Sequence, residues 1–590
     1  MKSLASALKG KAEQLEAMGL EINKQSNLDD QWGTDPNRVP MMYRAQIQGR
    51  CSLHNARKEN RDLDTWAEQW IYPVNGEARY QHSRPQLEQQ AQIYQLEVEF
   101  PFRLFSNCGQ DSIARPAIGK HGIPLLSGSS VKGLFRRACT PEQAAKYCGQ
   151  EIRRQGKMQH LPGAAMLRFH RAYPLGNWAN RIIDLVHPQG NRQIGTKGNP
   201  KEEPASASAL ISLYQPLLVF EFSSPDPHID WNEIRRILLK AIQLGVGGKT
   251  SCGYGMGGNF PNKPLVHPAS RLSFWLKGDG VSSILRDGTP EFRINIFKAA
   301  LRGHMRRLLA GIDRENRGDV VVNCWFGNTR SPARIQLIWE EHQEPTFSDT
   351  SQPNRNPTYS VDGMLYADIH RRKPSLDEAE NKQIQRQDQK DIALLERIVQ
   401  FAYVMGGFGK SWRRVWHKTF MPEYHENNFA IGCHWSSRDL DNIQAPKQLQ
   451  DFLNDLYDQC CDYLNIRKQD AQPTGWREAW SPQRVAVYCR PSSNSVAIRL
   501  FHDDTFKTTP AIGGRNPHDE HPDKFHPPQN TSSVWHRMLP TRNSQYLEIV
   551  TVFYGDREPW QRDGSDQLKR FIQELEAHGM QLTWGQRPSF

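Results

Sequence analysis

Gly122-Ile123-Pro124-Leu125-Leu126-Ser127-Gly128-Ser129-Ser130-Val131-Lys132-Gly133-Leu134-Phe135-Arg136-Arg137 is the stretch on which the reading of this chain turns. A short apolar run gives way to small hydroxyl residues, and serine is a favoured N-cap because its side chain accepts a first-turn amide. From there Val131, Leu134, Phe135 and Ala138 recur at helical spacing and predict an amphipathic helix with that stripe buried. Lys132, Arg136 and Arg137 then fall on or beside turns whose unsatisfied amides already favour an anion. Upstream, Gln95–Phe100 alternates polar and apolar residues as a half-buried strand does.

Downstream, Leu217–Phe222 reads as a strand and Asp230–Leu244 as a helix, followed by the glycine loop Gly245-Val246-Gly247-Gly248-Lys249-Thr250-Ser251-Cys252-Gly253-Tyr254-Gly255. The same order then returns. Arg271–Leu276 predicts a strand and Asn295–Leu309 a helix carrying Arg302-Gly303-His304-Met305-Arg306-Arg307. Leu394–Met405 predicts the helix before a second loop, Gly406-Gly407-Phe408-Gly409-Lys410-Ser411-Trp412-Arg413-Arg414. One plan used twice, each time with a basic helix and a basic glycine loop, suits a long anion, and a nucleic acid above all.

The 590 residues are too many for one core, and the repeat divides them into a first domain at 1–265 and a second at 266–590. Residues 1–30 suggest an amphipathic helix, and 187–209, 342–360, 373–390 and 502–534 read as long polar loops or insertions. The end of the chain predicts strand Tyr546–Phe553, helix Gln567–His578 and strand Met580–Trp584, an α+β pattern. An excess of 75 Lys and Arg over 64 Asp and Glu leaves a net charge of +11. There is no signal-like or membrane-spanning run, and the ten cysteines contain no Cys-x-x-Cys, so reduced thiols of a cytoplasmic protein, with no membrane partner, are expected.

Gly-Lys-Thr and Gly-Lys-Ser suggest a nucleotide-binding loop, but its first glycine is replaced by Gln243 in one copy and Val404 in the other. Both loops also follow a helix instead of opening one, which turns the negative dipole end toward them. No tightly bound nucleotide or other cofactor is expected. What remains is close backbone approach at the glycines, charge from Lys249, Lys410, Arg413 and Arg414, and Tyr254 and Trp412 as candidates for stacking on bases.

These motifs resemble the RAMP superfamily, the backbone proteins of type III CRISPR effector complexes. Residues 122–136 look like the family's helix start, Gly245–Gly255 like its glycine-rich loop, and Leu167–Pro174 with Asp184–Pro188 like a region of the Cmr-type members. The resemblance is specific over about 40–260 and looser over 291–306 and 406–414, where the serines before the basic-glycine step are replaced. It implies an α+β fold of two modified ferredoxin-like, RNA-recognition-type RAMP domains with long loop insertions, the second divergent or carrying an appended C-terminal α/β region. It also implies a backbone subunit that grips guide RNA and target RNA beside other RAMP-type subunits and the large polymerase/cyclase-like subunit. The RNA-binding positions that follow are Ser129, Ser130, Lys132, Arg136, Arg137, Gly247, Gly248, Lys249, Thr250, Tyr254, Arg302, Arg306, Lys410, Ser411, Arg413 and Arg414.

Family members that cleave target RNA use a loop aspartate with a divalent ion, Mg2+ or Mn2+. Asp111 occupies the corresponding stretch of the first half, and Asp279 and Asp287 the comparable stretch of the second. His121, His170 and His304 lie near the basic motifs and bear on one alternative, a stand-alone endoribonuclease that processes precursor guide RNA with histidine as general acid or base; a general RNA-binding protein outside CRISPR immunity is the other alternative.

Overall fold

The computed structural model describes residues 93–590 apart from 111–112, 118–123, 150, 155–156, 161–165, 177, 179–182, 187–207, 258–271, 285–288, 329–330, 349–356, 371, 373–376, 428–429, 513–531, 543–544 and 563. The expected N-terminal helix, Asp111, Asp287, His121 and nearly all of the loop 187–209 lie outside the described residues.

The first unit contains β1 (Ile93–Glu99), β2 (Arg103–Phe105), α1 (Gly128–Ala138), α2 (Pro141–Cys148), β3 (Arg168–Phe169), β4 (Tyr173–Pro174), β5 (Ser208–Tyr214), β6 (Leu217–Ser223) and α3 (Trp231–Gln243). β6 is central, antiparallel to β1 on one side, with Leu96 opposite Phe220, and to β3 and β4 on the other. The apolar stripe of α1 is the expected one, Val131, Leu134, Phe135 and Ala138, and it lies against Phe220, Phe222 and the Ile234, Ile237, Leu238, Ala241 and Ile242 stripe of α3.

The second unit runs β7 (Leu272–Val281), α4 (Asn295–Ala310), α5 (Gly318–Phe326), β8 (Ile335–Phe347), β9 (Thr358–Ile369), α6 (Glu378–Met405), β10 (Cys433–Ser437) and α7 (Pro446–Leu464). Its sheet has the order β8-β9-β7-β10 with every pairing antiparallel. Of the segments 342–360 and 373–390, expected to be polar loops, 342–347 and 358–360 belong to this hairpin and 378–390 to the exposed start of α6, while 349–356 and 373–376 lie outside the described residues. Gly278 must lack a side chain, since a Cβ there would stand 2.5 Å from the Trp435 ring across the β7–β10 pair.

A third unit completes the chain: β11 (Val485–Ser492), α8 (Ala497–His502), β12 (Val534–Pro540), β13 (Tyr546–Phe553), α9 (Gln567–Ala577) and β14 (Gln581–Gly585). Its strand order, β12-β13-β11-β14, repeats that of the second unit, again fully antiparallel. The βαββαβ plan therefore occurs completely twice and once more, among the described residues, without a fourth strand. Two halves were expected, with 415–590 completing the second, inserted in it or appended to it.

Layering explains how the third unit is held. One face of its sheet packs on α8 and α9 through Phe501, Leu568, Phe571 and Ile572. The other face, with Val485, Val487, Trp535, Ile549 and Phe553, closes over α6 and α7 in one core with Leu394–Met405. A helix covered on both sides must be apolar all round, and Ile398 through Met405 is buried without interruption. The first and second units are joined by a desolvated ion pair. Arg103, 1% exposed, gives Nη2 to Glu291 Oε2 at 2.6 Å and Nη1 to Ser212 Oγ at 2.8 Å, with Nε also on Glu291.

Candidate nucleic-acid interface

Ser127 caps α1 as expected, its Oγ accepting Ser130 N at 3.2 Å and lying 2.9 Å from the hydroxyls of both Ser129 and Ser130. Gly128 lets the helix start press on the sheet, because a Cβ there would lie 2.3 Å from Phe169 O. Gly133 is different. It sits mid-helix and exposed, and a Cβ there would meet nothing within 4 Å. Glycine at such a site costs roughly 0.5–1 kcal/mol relative to alanine, and no packing in the fold requires it.

The first glycine loop faces this helix and is stapled to β2. Gly248 N donates to Phe105 O at 3.0 Å, Gly255 N to Arg103 O at 2.9 Å, and Val246 N to Gly255 O at 2.8 Å. Gly247 has φ +74°, and a Cβ would lie 2.1 Å from Phe105 O, so only glycine fits. Lys249 is also left-handed, at φ 59°, with Nζ 4.6 Å above the Phe105 ring. Arg137 crosses from α1 and donates Nη2 to Gly245 O at 2.9 Å; partial burial lowers its pKa, though a guanidinium stays charged. The two signatures of the first copy are thus in contact.

Between them lies a cleft of about 310 Å³, walled by Ser127, Ser130, Gly133 and Arg137 on one side and Gly245–Gly248 on the other. Ser106 closes one end; it is 3% exposed and its Oγ has no hydrogen-bond partner among the described residues. A buried hydroxyl without a partner is unfavourable unless a ligand completes it. Hydroxyls, a helix N-terminus, glycine backbone and the cations Arg137 and Lys249 form a donor set suited to phosphodiester oxygens. Ser106 carried no signal in the sequence; its role appears only when β2 is placed under the glycine loop.

Of the expected residues Ser130, Arg137, Gly247 and Gly248 line this cleft, and Lys249 and Thr250 belong to the same loop, Thr250 packing against Gly245. Ser129, Lys132 and Arg136 are on α1 but not in the lining, and Lys132 and Arg136 lie on the side of Cys148. Tyr254 is not presented for stacking. Its side chain is 3% exposed and lies 5.5 Å from the Phe105 ring, in the core shared with the second unit.

The second copy is built differently: α5 takes Arg302 and Arg306 of its helix, and the layer that ends in the third unit takes the arginines of its loop. Arg302 donates to Gly327 O and Asn323 Oδ1, at 2.8 and 2.9 Å, closing the end of α5. Arg306 pairs with Asp319 at 2.9 Å. Arg413 donates to both oxygens of Glu478 at 2.7 and 3.0 Å, and burial brings its pKa down to about 10. Arg414 binds Val534 O, Ile512 O and Ser532 Oγ at 2.7–2.9 Å and lies over the Phe501 ring. Trp412, expected as a stacking aromatic, wedges between His304 and Trp535, 4.8 Å from each. These four arginines serve the fold. Lys410 and Ser411 stay exposed, with Lys410 Nζ 3.1 Å from Ser282 O.

Asp279 lies within β7, opposite Ser360 and His434, and not in a loop. Among the described residues no three His, Cys, Asp or Glu side chains are grouped to hold a metal ion. Asp279 thus has no such group around it among the described residues. His304 is fully buried between Phe401, Trp412 and Trp535; burial, then Arg307 and Arg413, push its pKa well below the usual range. It is neutral and inaccessible. His170 is exposed, with Nε2 2.8 Å from Ser223 Oγ. Among the described residues no helix is long and apolar enough to cross a membrane.

No protein-family model and no curated protein matches the chain. Among solved structures it is similar to Cmr1 from Pyrococcus furiosus, at 13% identity over 53% of this chain and 99% of that one, with a TM-score of 0.31. It is similar to Cmr6 from Pyrococcus furiosus at 15% identity over 28% of this chain and 99% of that one, TM-score 0.18. A chain of the type III-B Cmr-beta complex bound to cognate target RNA is 16% identical over 28% of this chain, which spans 57% of its length, TM-score 0.21. Likenesses at these TM-scores carry no functional argument.

Proposed function

We propose that the chain is a guide-RNA-binding backbone subunit of a type III CRISPR RNA-guided effector complex. In this reading residues 1–265 and 266–590 are two modified ferredoxin-like RAMP domains, the second bearing the third unit as its appended region. The observation that carries the proposal is the cleft of the first unit: the two motifs that resemble the RAMP signatures, more than a hundred positions apart, are joined by the Arg137–Gly245 hydrogen bond around an unsatisfied buried serine. The first unit grips the guide strand; the second, its basic helices neutralised internally, holds the third unit. Target RNA, other RAMP-type subunits and the large polymerase/cyclase-like subunit are the further partners proposed.

Purification with its neighbours tests this directly. The protein should retain guide RNA of defined length, and Lys132→Ala with Lys249→Ala should release it; recovery of an RNA-free monomer that cuts repeat RNA would overturn the proposal. Target cleavage with Mg2+ or Mn2+ is proposed for the Asp111 stretch alone: Asp111→Ala should abolish cleavage at one target position with guide binding intact, and unchanged cleavage would remove Asp111 from that role.

A further inference from the structure

The cleft is short, and the helix that runs into it has a face of its own. Burial of Ile234, Ile237, Leu238, Ala241 and Ile242 fixes the rotation of α3 and turns Arg235, Arg236 and Lys240 outward. All three are exposed, and none has an ion-pair or hydrogen-bond partner among the described residues. Arg236 and Lys240 are one helical turn apart, about 6 Å along the axis. Like charges at that spacing repel, so the fold gains nothing from them.

The acids nearby are already committed. Glu233, in the first turn of α3, is taken by the Tyr147 hydroxyl, by Gln143 Nε2 at 2.9 Å and by Lys146 at 3.9 Å. Glu142 lies in the first turn of α2, where a carboxylate serves the helix start. On the three helices α1, α2 and α3 these two acids stand against Lys132, Arg136, Arg137, Lys146, Arg235, Arg236 and Lys240. The helix in the same place in the second unit, α6, is apolar and covered over its last turns, so a basic outer face is not a demand of the topology.

We infer that the exposed face of α3, with Arg235, Arg236 and Lys240, is a second phosphate track, along which the single RNA strand held in the cleft continues. The inference rests on the cleft's being an RNA grip. Contiguity supports it: α3 ends at Gln243 and the chain enters the loop at Gly245, the carbonyl that Arg137 holds. Charge supports a polyanion over a protein partner: the exposed large apolar side chains among the described residues, Met166, Ile284, Val320, Leu582 and Phe590, all lie off this helix.

The test is the salt dependence of binding of the full chain to a labelled generic-sequence single-stranded RNA. Each phosphate contact to a single strand contributes about 0.7 to the slope of log K against log salt, so Arg235→Gln with Arg236→Gln and Lys240→Gln should lower it by about 2. The gap between wild type and variant then widens about 100-fold from 1 M to 0.1 M salt. Lysine at 235 and 236 should keep the wild-type slope, which separates charge from a fold defect. An unchanged slope in the glutamine variant, with Lys132→Ala and Lys249→Ala still weakening binding, overturns the α3 track and leaves the cleft. Wild-type affinity indifferent to both variant sets overturns the cleft reading itself.

Discussion

Gly133 separates stability from binding more sharply than any other position. Its place inside α1 costs roughly 0.5–1 kcal/mol against alanine, and with nothing within 4 Å of a built Cβ, Gly133→Ala collects that gain without a clash. At roughly 2–4 °C per kcal/mol for a unit of 150–250 residues, melting of the first unit should rise by about 1–4 °C. The same methyl group enters the cleft wall beside Ser130 and Arg137, where a phosphate chain is to pass. RNA affinity by fluorescence anisotropy should therefore fall, and Gly133→Leu should lower it further, by about tenfold or more, equal to ~1.4 kcal/mol. Lower stability in Gly133→Ala would mean an unseen packing role. Unchanged affinity in Gly133→Leu would mean that nothing approaches this face.

Other perturbations address the frame. Arg103→Ala leaves the buried Glu291 with Arg293 as its remaining cation, so it should destabilise the joint between first and second units by about 1.5–3 kcal/mol, read by denaturant unfolding; a loss below about 1 kcal/mol would contradict a desolvated pair. Arg414→Ala removes donors from Val534 O, Ile512 O and Ser532 Oγ, so it should loosen the third unit in hydrogen exchange while leaving the RNA salt slope of folded protein unchanged. Burial lowers His417 to about 4, below its unfolded value near 6.5. Its contribution is present above pH 6.5 and is lost as pH falls toward about 4, by up to about 3 kcal/mol, and His417→Gln should flatten that window. Burial works to raise Glu548, but hydrogen bonds from His536, Ala497 N and Ser495 outweigh it and bring it to about 2. A second loss of stability should therefore follow from about pH 4.5 toward pH 2, absent in Glu548→Gln.

Much of the first unit was legible because its elements are amphipathic. The stripe of α1 and its Ser127 cap follow from spacing alone, as do β6 and α3. The third unit was read only in its closing strand, helix and strand; its first strand escaped because β11 is buried on both faces: Val485-Ala486-Val487-Tyr488-Cys489 shows no alternation, and periodicity cannot assign such a run. The exposed first turns of α6, rich in Glu, Gln, Lys and Asp, looked like a polar loop although most of these residues suit a helix. Equating the two basic signatures failed for a tertiary reason. Arg137 and Arg307 hold the same place in the two helix signatures, yet one reaches across to the first glycine loop and the other is buried against Glu478 beneath a second sheet. The uninterrupted apolar run Phe401–Met405 was the available sign that a layer covers α6.

Crosslinking of bound RNA to the protein, mapped by mass spectrometry, tests the central claim most directly. The account predicts crosslinks within 127–137 and 245–250 and none at Trp412, Arg413 or Arg414 in folded protein. Crosslinks concentrated at 412–414, with the first-unit cleft unlabelled, would contradict it.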